Sequence, residues 1–139
     1  GINDTVGKEA SPIDDSEEKY ERGRKVLEIL TNQEQTRPTS GFGAFSPEID
    51  VFLKEHLFAD IFERDVLTYY QRELVTISAL ASMEGVEPML MAHLNMGMNV
   101  GIRETQLNKL FSVIETTAGK PRSEAVRSAL QQILERRSE

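Results

Sequence analysis

Between Leu74 and Met83 the sequence reads LVTISALASM, a run with apolar or small side chains on nearly every face of the helix it would form. Such a helix cannot be laid on a core by one stripe. It has to be the buried, central element around which others pack. Thr68 and Gln71 carry the spacing of a T-x-x-Q capping box at its start, and Gly85 ends it. No segment alternates apolar and polar residues with turn chemistry at its ends, so no sheet is predicted.

The partners of that helix follow from the same 3.6-residue period. Asp15 with Glu18 marks the start of a helix over roughly 16–31, with Tyr20, Gly23, Leu27 and Leu30 on one face. Residues 32–45 (NQEQTRPTSGFGAF) carry a proline and two glycines and read as a long loop. Ser46-Pro47 places an N-cap before proline at the first helical position. Ile49, Phe52, Leu53, Leu57 and Ile61 then give the stripe of a second helix, interrupted by ERDV at 63–66. A fourth helix begins near Pro88 and closes at Gly101. A fifth runs to Gly119 with Leu107, Leu110, Phe111, Ile114 and Ala118 as its stripe, and a sixth follows Pro121 with Val126, Ala129, Leu130 and Ile133. The reading is all-α, a small bundle of five or six helices assembling through helix packing. It divides into a mobile N-terminal tail over 1–15, a helix-and-loop arm over 16–45 and a helical domain over 46–135.

Composition removes several function classes. A chain of 139 residues can bury roughly two-thirds of its unfolded surface, so a core without disulfides is feasible. The net charge of −7 argues against nucleic acid or anionic lipid as a partner, and no apolar run approaches the ~20 residues of a bilayer span. There is no cysteine, which removes disulfide, thiolate-metal and thiol-peroxidase chemistry. With two histidines, a metal site would have to be mostly carboxylate, and no spacing suggests one. No metal or cofactor is therefore expected. The sequence given begins with Gly1 in place of methionine, so an exported form stays open beside the favoured cytoplasmic one.

His93 is the residue that most invites a chemical reading. It shares a helical face with Met89, Met96, Gly97 and Val100. It is either a core histidine bonded to a backbone carbonyl or a general acid–base, for which an ordinary pKa near ~6.5 suits it. Glu73 is either a first-turn carboxylate favoured by the helix dipole or the group that orients a histidine tautomer. Arg72 is a surface charge or a clamp on an anionic substrate. Met89 and Met96 are gap-filling core residues or pocket lining. Gly97 costs about 1 kcal/mol against alanine in mid-helix, so another helix or a ligand should approach it closely. Asn99 reads as a cap near the helix end, and His56 as a partly exposed packing residue.

FLKEHLFADIF (52–62), RELVTISALASM (72–83), HLNMGMNVGI (93–102) and AGKP (118–121), in this order and spacing, resemble the carboxymuconolactone decarboxylase family, a group that includes the AhpD-like alkylhydroperoxidases. EEKYERGRKVLEIL (17–30) looks like the leading helix of the decarboxylase branch. The resemblance puts Glu73 on the family's acidic site position and His93 on its histidine, and Asn99 with Gly101 on the Asn-x-Gly turn. The peroxidase branch carries C-x-x-C just before the histidine; here Val86 and Met89 stand at that spacing, so the redox couple is gone. Arg103 replaces the usual Thr or Ser cap after Ile102, which should weaken the start of the next helix.

The resemblance implies a helical bundle assembled as homotrimers or homohexamers with sites near subunit interfaces. It also implies cofactor-free loss of CO2 from a small carboxylated lactone. In that chemistry His93 carries the proton, Glu73 orients it, Asn99 or backbone donors stabilise an enolate oxygen and Arg72 holds the substrate carboxylate. Two alternatives remain: a non-catalytic oligomeric protein that binds a small molecule on the same scaffold, and a different proton-transfer reaction such as lactone isomerisation. Counted to Gly85, Glu73 lies 12 residues back, about 18 Å, while His93 lies five past Pro88, about 8 Å. A straight hairpin would leave the two offset by about 10 Å. A direct pair then calls for steeply crossed helices, a bridging water, or Glu73 from a neighbouring subunit.

Overall fold

The computed structural model describes residues 3–138, and all their regular structure is helical. In chain order the elements are α1 (Lys19–Thr31), α2 (Gly41–Phe45), α3 (Pro47–Phe52), a π-helical segment (Leu53–Phe62), α4 (Tyr69–Ala81), α5 (Glu87–Asn99), α6 (Glu104–Ala118) and α7 (Lys120–Ser138). The all-α class is as expected. The seven α-helices exceed the expected count because α2 forms inside the stretch read as loop. The tail read over 1–15 opens on Gly1 and Ile2, which lie outside the described residues. Further along it, the Ser11 amide and hydroxyl donate to Asp65 at 3.0 and 2.7 Å. Those two bonds, the hydroxyl's first, hold the Asp65 carboxyl below the usual carboxylate range.

The chain forms two compact units. One runs to Ile29 and from Gln33 to Thr68; the other takes Leu30–Asn32 and resumes at Tyr69. In the first unit, α1 buries Gly23 of its predicted stripe, but Val26 takes the inward place read for Leu27, which like Tyr20 is only partly buried. A Cβ on Gly23 would stand 1.9 Å from the Lys54 carbonyl oxygen, so only glycine lets α1 approach that backbone. The second predicted helix is present but its face is rotated. Ile49 and Phe52 are exposed, Phe52 by 63%, while Asp50, Lys54, Phe58, Ala59 and Phe62 are buried. The wide turns of a π-helix turn each residue less far around the axis. Ile49 and Phe52 precede that segment, in α3, where Asp50 takes the inward position; from Leu53 on the wider turns set the period, and the buried positions Lys54, Phe58 and Phe62 recur every four residues.

The second unit is built from two helix pairs, α4 with α5 and α6 with α7; α5 also packs on α7, and α4 on α6 and α7. Ile77, Leu90, Leu94, Ile102, Leu107, Phe111 and Val126 are sealed in its core. Burial of each such side chain is worth about 1.5–3 kcal/mol against exposure. α4 is central to this unit but not buried all round, contrary to expectation. Val75 is 62% exposed, and Met83 just past the helix end is exposed as well. α6 starts better than its Arg103 cap suggested, because the Gln106 side chain accepts the Arg103 amide at 2.9 Å. That is the half of a capping box that does not depend on the N-cap side chain.

Candidate functional site

α4 and α5 bring one carboxylate and one imidazole together. Glu73 sits in the second turn of α4 with no exposed surface, and His93 lies midway along α5. His93 Nδ1 is 2.8 Å from Glu73 Oε2. The pair is direct and lies within one chain. The 10 Å offset disappears because 82–86 is not helical. Measured from the helix ends, Glu73 is eight residues before Ala81, about 12 Å, and His93 six past Glu87, about 9 Å. The remaining ~3 Å is within side-chain reach.

A tie from outside the hairpin also holds its two ends together. Arg122, buried at the start of α7, donates from Nε to the Ala81 carbonyl at 2.7 Å, from Nη2 to the Leu80 carbonyl at 3.0 Å, and from Nη1 to Glu87 at 3.1 Å. One guanidinium thus bonds the last carbonyls of α4, of which Leu80 also accepts the Met83 amide at 3.1 Å, and grips the first turn of α5. Glu87's own backbone amide, and then Arg122, hold its carboxyl below the ordinary value. Nothing in the sequence pattern singled out Arg122 beyond its place after Gly119 and Pro121.

Gly97 receives the close approach its mid-helix position implied, and the approaching groups are protein. A Cβ there would lie 2.7 Å from Ile77 Cδ1, 3.1 Å from Ile102 Cδ1 and 3.7 Å from Glu73 Cβ. The helix then closes as a Schellman motif. The Ile102 amide bonds the Gly97 carbonyl at 2.9 Å and the Gly101 amide that of Met98 at 3.1 Å, with Gly101 at φ +100°. Ile102 is thereby folded back onto Gly97, and both pack beside the acid–imidazole pair.

The other candidate residues are distributed differently. Met96 is buried on the His93 helix, whereas Met89 is 56% exposed. Arg72 is half-buried next to Glu73 in sequence. Asn99 is not left as a simple cap: its amide nitrogen donates to the Leu30 carbonyl at 2.9 Å and its oxygen accepts from Arg137 at 2.8 Å. It clamps the second unit's segment at Leu30 to α5 and α7. His56 is exposed, stacked on Phe52 with ring centroids 5.1 Å apart.

Chemically, the Glu73 carboxylate can fix the imidazole's orientation and tautomer through Nδ1. His93 keeps 10% of its side chain exposed. Glu73 Oε1 has no hydrogen-bond partner among the described residues. No group of three or more histidine or carboxylate side chains suited to a metal ion occurs among them either. No helix there is long and apolar enough to cross a membrane.

A family model described as "CMD: Carboxymuconolactone decarboxylase family" matches residues 47–132, well over half of the chain and including both Glu73 and His93. No curated protein matches the sequence.

Proposed function

The chain belongs to the carboxymuconolactone decarboxylase family, and from that membership we propose that it catalyses cofactor-free decarboxylation, or closely related proton transfer, on a small carboxylated lactone. The observation that carries this reading is the 2.8 Å contact between His93 Nδ1 and a fully buried Glu73. A core histidine would be satisfied as well by a backbone carbonyl. A sealed carboxylate with one oxygen left bare costs about 1–3 kcal/mol. Its retention is explained if the pair serves proton chemistry.

In the reaction, the bond between the lactone carbon and its carboxylate breaks. CO2 leaves, and the electron pair flows into the conjugated lactone carbonyl as an enolate. His93 Nε2 then delivers a proton to carbon, the enolate electrons form the new C–H bond, and the imidazole regains a proton from solvent. Glu73 holds Nδ1–H throughout, so Nε2 stays aimed and a positive ring is stabilised. Arg72 is assigned to the substrate carboxylate. Asn99 positions the end of α5 through its bonds to Leu30 and Arg137, and its second amide N–H is the donor assigned to the enolate oxygen.

The active form is a homotrimer or homohexamer, for which Val75, Met83 and Met89 offer exposed apolar surface on and just after α4 and on α5. Light scattering that returns 15.7 kDa, the mass of one chain, at micromolar concentration and independent of dilution would contradict this. The function is tested by following ultraviolet absorbance and CO2 release over a panel of carboxylated lactones. Turnover that falls at least a hundredfold in His93→Gln supports the reading. A ligand bound tightly and recovered intact points to a binding protein instead, and turnover unchanged in His93→Gln removes the assigned role.

A further inference from the structure

Tyr20, Asp50 and Lys54 form a buried ionic cluster in the first unit that the chemistry at His93 does not use. Lys54 Nζ donates to both Asp50 oxygens at 2.8 Å and to the Tyr20 hydroxyl at 3.0 Å. The Tyr20 hydroxyl donates in turn to Asp50 Oδ2 at 3.1 Å. A buried ion pair is weak support for a fold, because desolvation cancels most of its Coulomb energy. Its position says more. Tyr20 and Asp50 also line a cavity of about 780 Å³, within the ~300–1,000 Å³ typical of small-molecule sites. The cavity shares no residue with the Glu73–His93 site. Tyr20, Arg37 and Pro38 of its lining precede the segment that the family model matches.

The lining specifies a ligand class. Pro38, Pro47, Val51 and Phe52 offer an apolar wall, and Val51 and Phe52 are exposed there. The polar groups are nearly all acceptors. Asp50 takes three hydrogen bonds of the roughly four a carboxylate can accept, Tyr20 has already given its one proton, and Glu48 and Glu55 add two carboxylates. Arg37 is the one basic side chain in the lining. Lys54 offsets Asp50, and Arg37 offsets one glutamate, so one negative charge is left over. An occupant must therefore bring hydrogen-bond donors, a positive charge and a carbon skeleton.

We propose that this cavity binds a small organic amine as its ammonium ion, with the skeleton on Val51 and Phe52 and the N–H donors on Asp50, Glu48 and Glu55. The inference does not depend on the decarboxylase reading, and its test uses neither lactones nor turnover. The full chain is titrated calorimetrically with tryptamine, and with tryptophol and indole-3-propionate as neutral and anionic analogues of the same skeleton. Saturable tryptamine binding at least tenfold tighter than tryptophol, and no binding of indole-3-propionate, is expected. Asp50→Asn strands a buried lysine and unfolds the unit, so the pair Glu48→Gln/Glu55→Gln, at an exposed and a half-buried position, and the cavity-filling Val51→Trp are the informative variants. The first should weaken tryptamine at least tenfold while leaving tryptophol unchanged, and the second should abolish binding of both. Absence of saturable tryptamine binding, equal affinity for tryptophol, or binding that survives Val51→Trp would overturn the proposal.

Discussion

Replacing Gly97 by alanine sets two effects of opposite sign against each other. Alanine in mid-helix gains about 1 kcal/mol of helix propensity over glycine. The new Cβ, however, would stand 2.7 Å from Ile77 Cδ1 and 3.1 Å from Ile102 Cδ1, against the ~3.5–4.0 Å at which carbon atoms rest. Both are the far ends of isoleucines, which elsewhere could swing aside. Here Ile77 has no exposed surface and Ile102 only 2%, so the displacement passes into packed neighbours. Overpacking of this kind costs about 1–3 kcal/mol. The net expectation is a loss of about 1 kcal/mol. Ile77→Val deletes the offending Cδ1 and alone costs about 0.5–1.5 kcal/mol. In the Gly97→Ala background it should cost nothing or restore stability, a coupling of about 1 kcal/mol or more. Urea unfolding of the four proteins measures this directly. A Gly97→Ala protein stabilised by the full propensity gain, with Ile77→Val simply additive, would refute the close-approach argument.

Three other outcomes are expected. Burial is the largest single influence on Lys54 and opposes its charge, yet the bonds to Asp50 and Tyr20 together outweigh it and hold the ammonium above the usual lysine range. Its contribution to stability is therefore full below the ordinary lysine value of 10.5 and lost as pH rises through the higher folded value. Urea midpoints taken from pH 9 upward should fall more steeply in the native chain than in Lys54→Met, and parallel curves would count against the cluster. Gly101→Ala forces a side chain into φ +100° and should cost about 1–2 kcal/mol, while Gly7→Ala, where nothing lies near, should be silent. With no cysteine in the chain, reduction of a hydroperoxide coupled to a dithiol should not exceed a boiled control.

Much of this was legible in the sequence where local rules and the global fold agree. The stripe of α7, that of α6 apart from the exposed Ala118, and the helix ends at Pro88, Gly101 and Gly119 follow from 3.6-residue spacing and cap chemistry, because α6 and α7 bury one apolar face each. Residues 47–62 defeated the same rule. From Leu53 on the turns are wider than 3.6 residues, and two of the inward positions, Asp50 and Lys54, are polar groups that tolerate burial because each supplies the other's bonds. Glu73 and His93 were marked by resemblance, not by spacing. Their direct contact was hidden by counting 82–85 as helix. Asn99 has ordinary cap composition, and its bonds to Leu30 and Arg137 depend on segments far away in sequence, which no local pattern reveals.

The clamp at Arg122 also imposes an order in time. A chain emerges from synthesis with its N-terminal part first, so α4 and α5 exist before the residue that ties their ends together. Until residue 122 arrives, the Leu80 and Ala81 carbonyls and the Glu87 carboxylate lack their shared donor, and the hairpin rests on its own packing and the Glu73–His93 contact. The ends of α4 and α5 then lack the tie that α7 brings, and the expected consequence is a less fixed imidazole. The nascent protein therefore carries its acid–base pair before the clamp, and the arrival of α7 adds it. A chain stopped at Gly119 should show the ring signals of a less fixed His93; signals matching the full chain would mean that the hairpin finds its register alone.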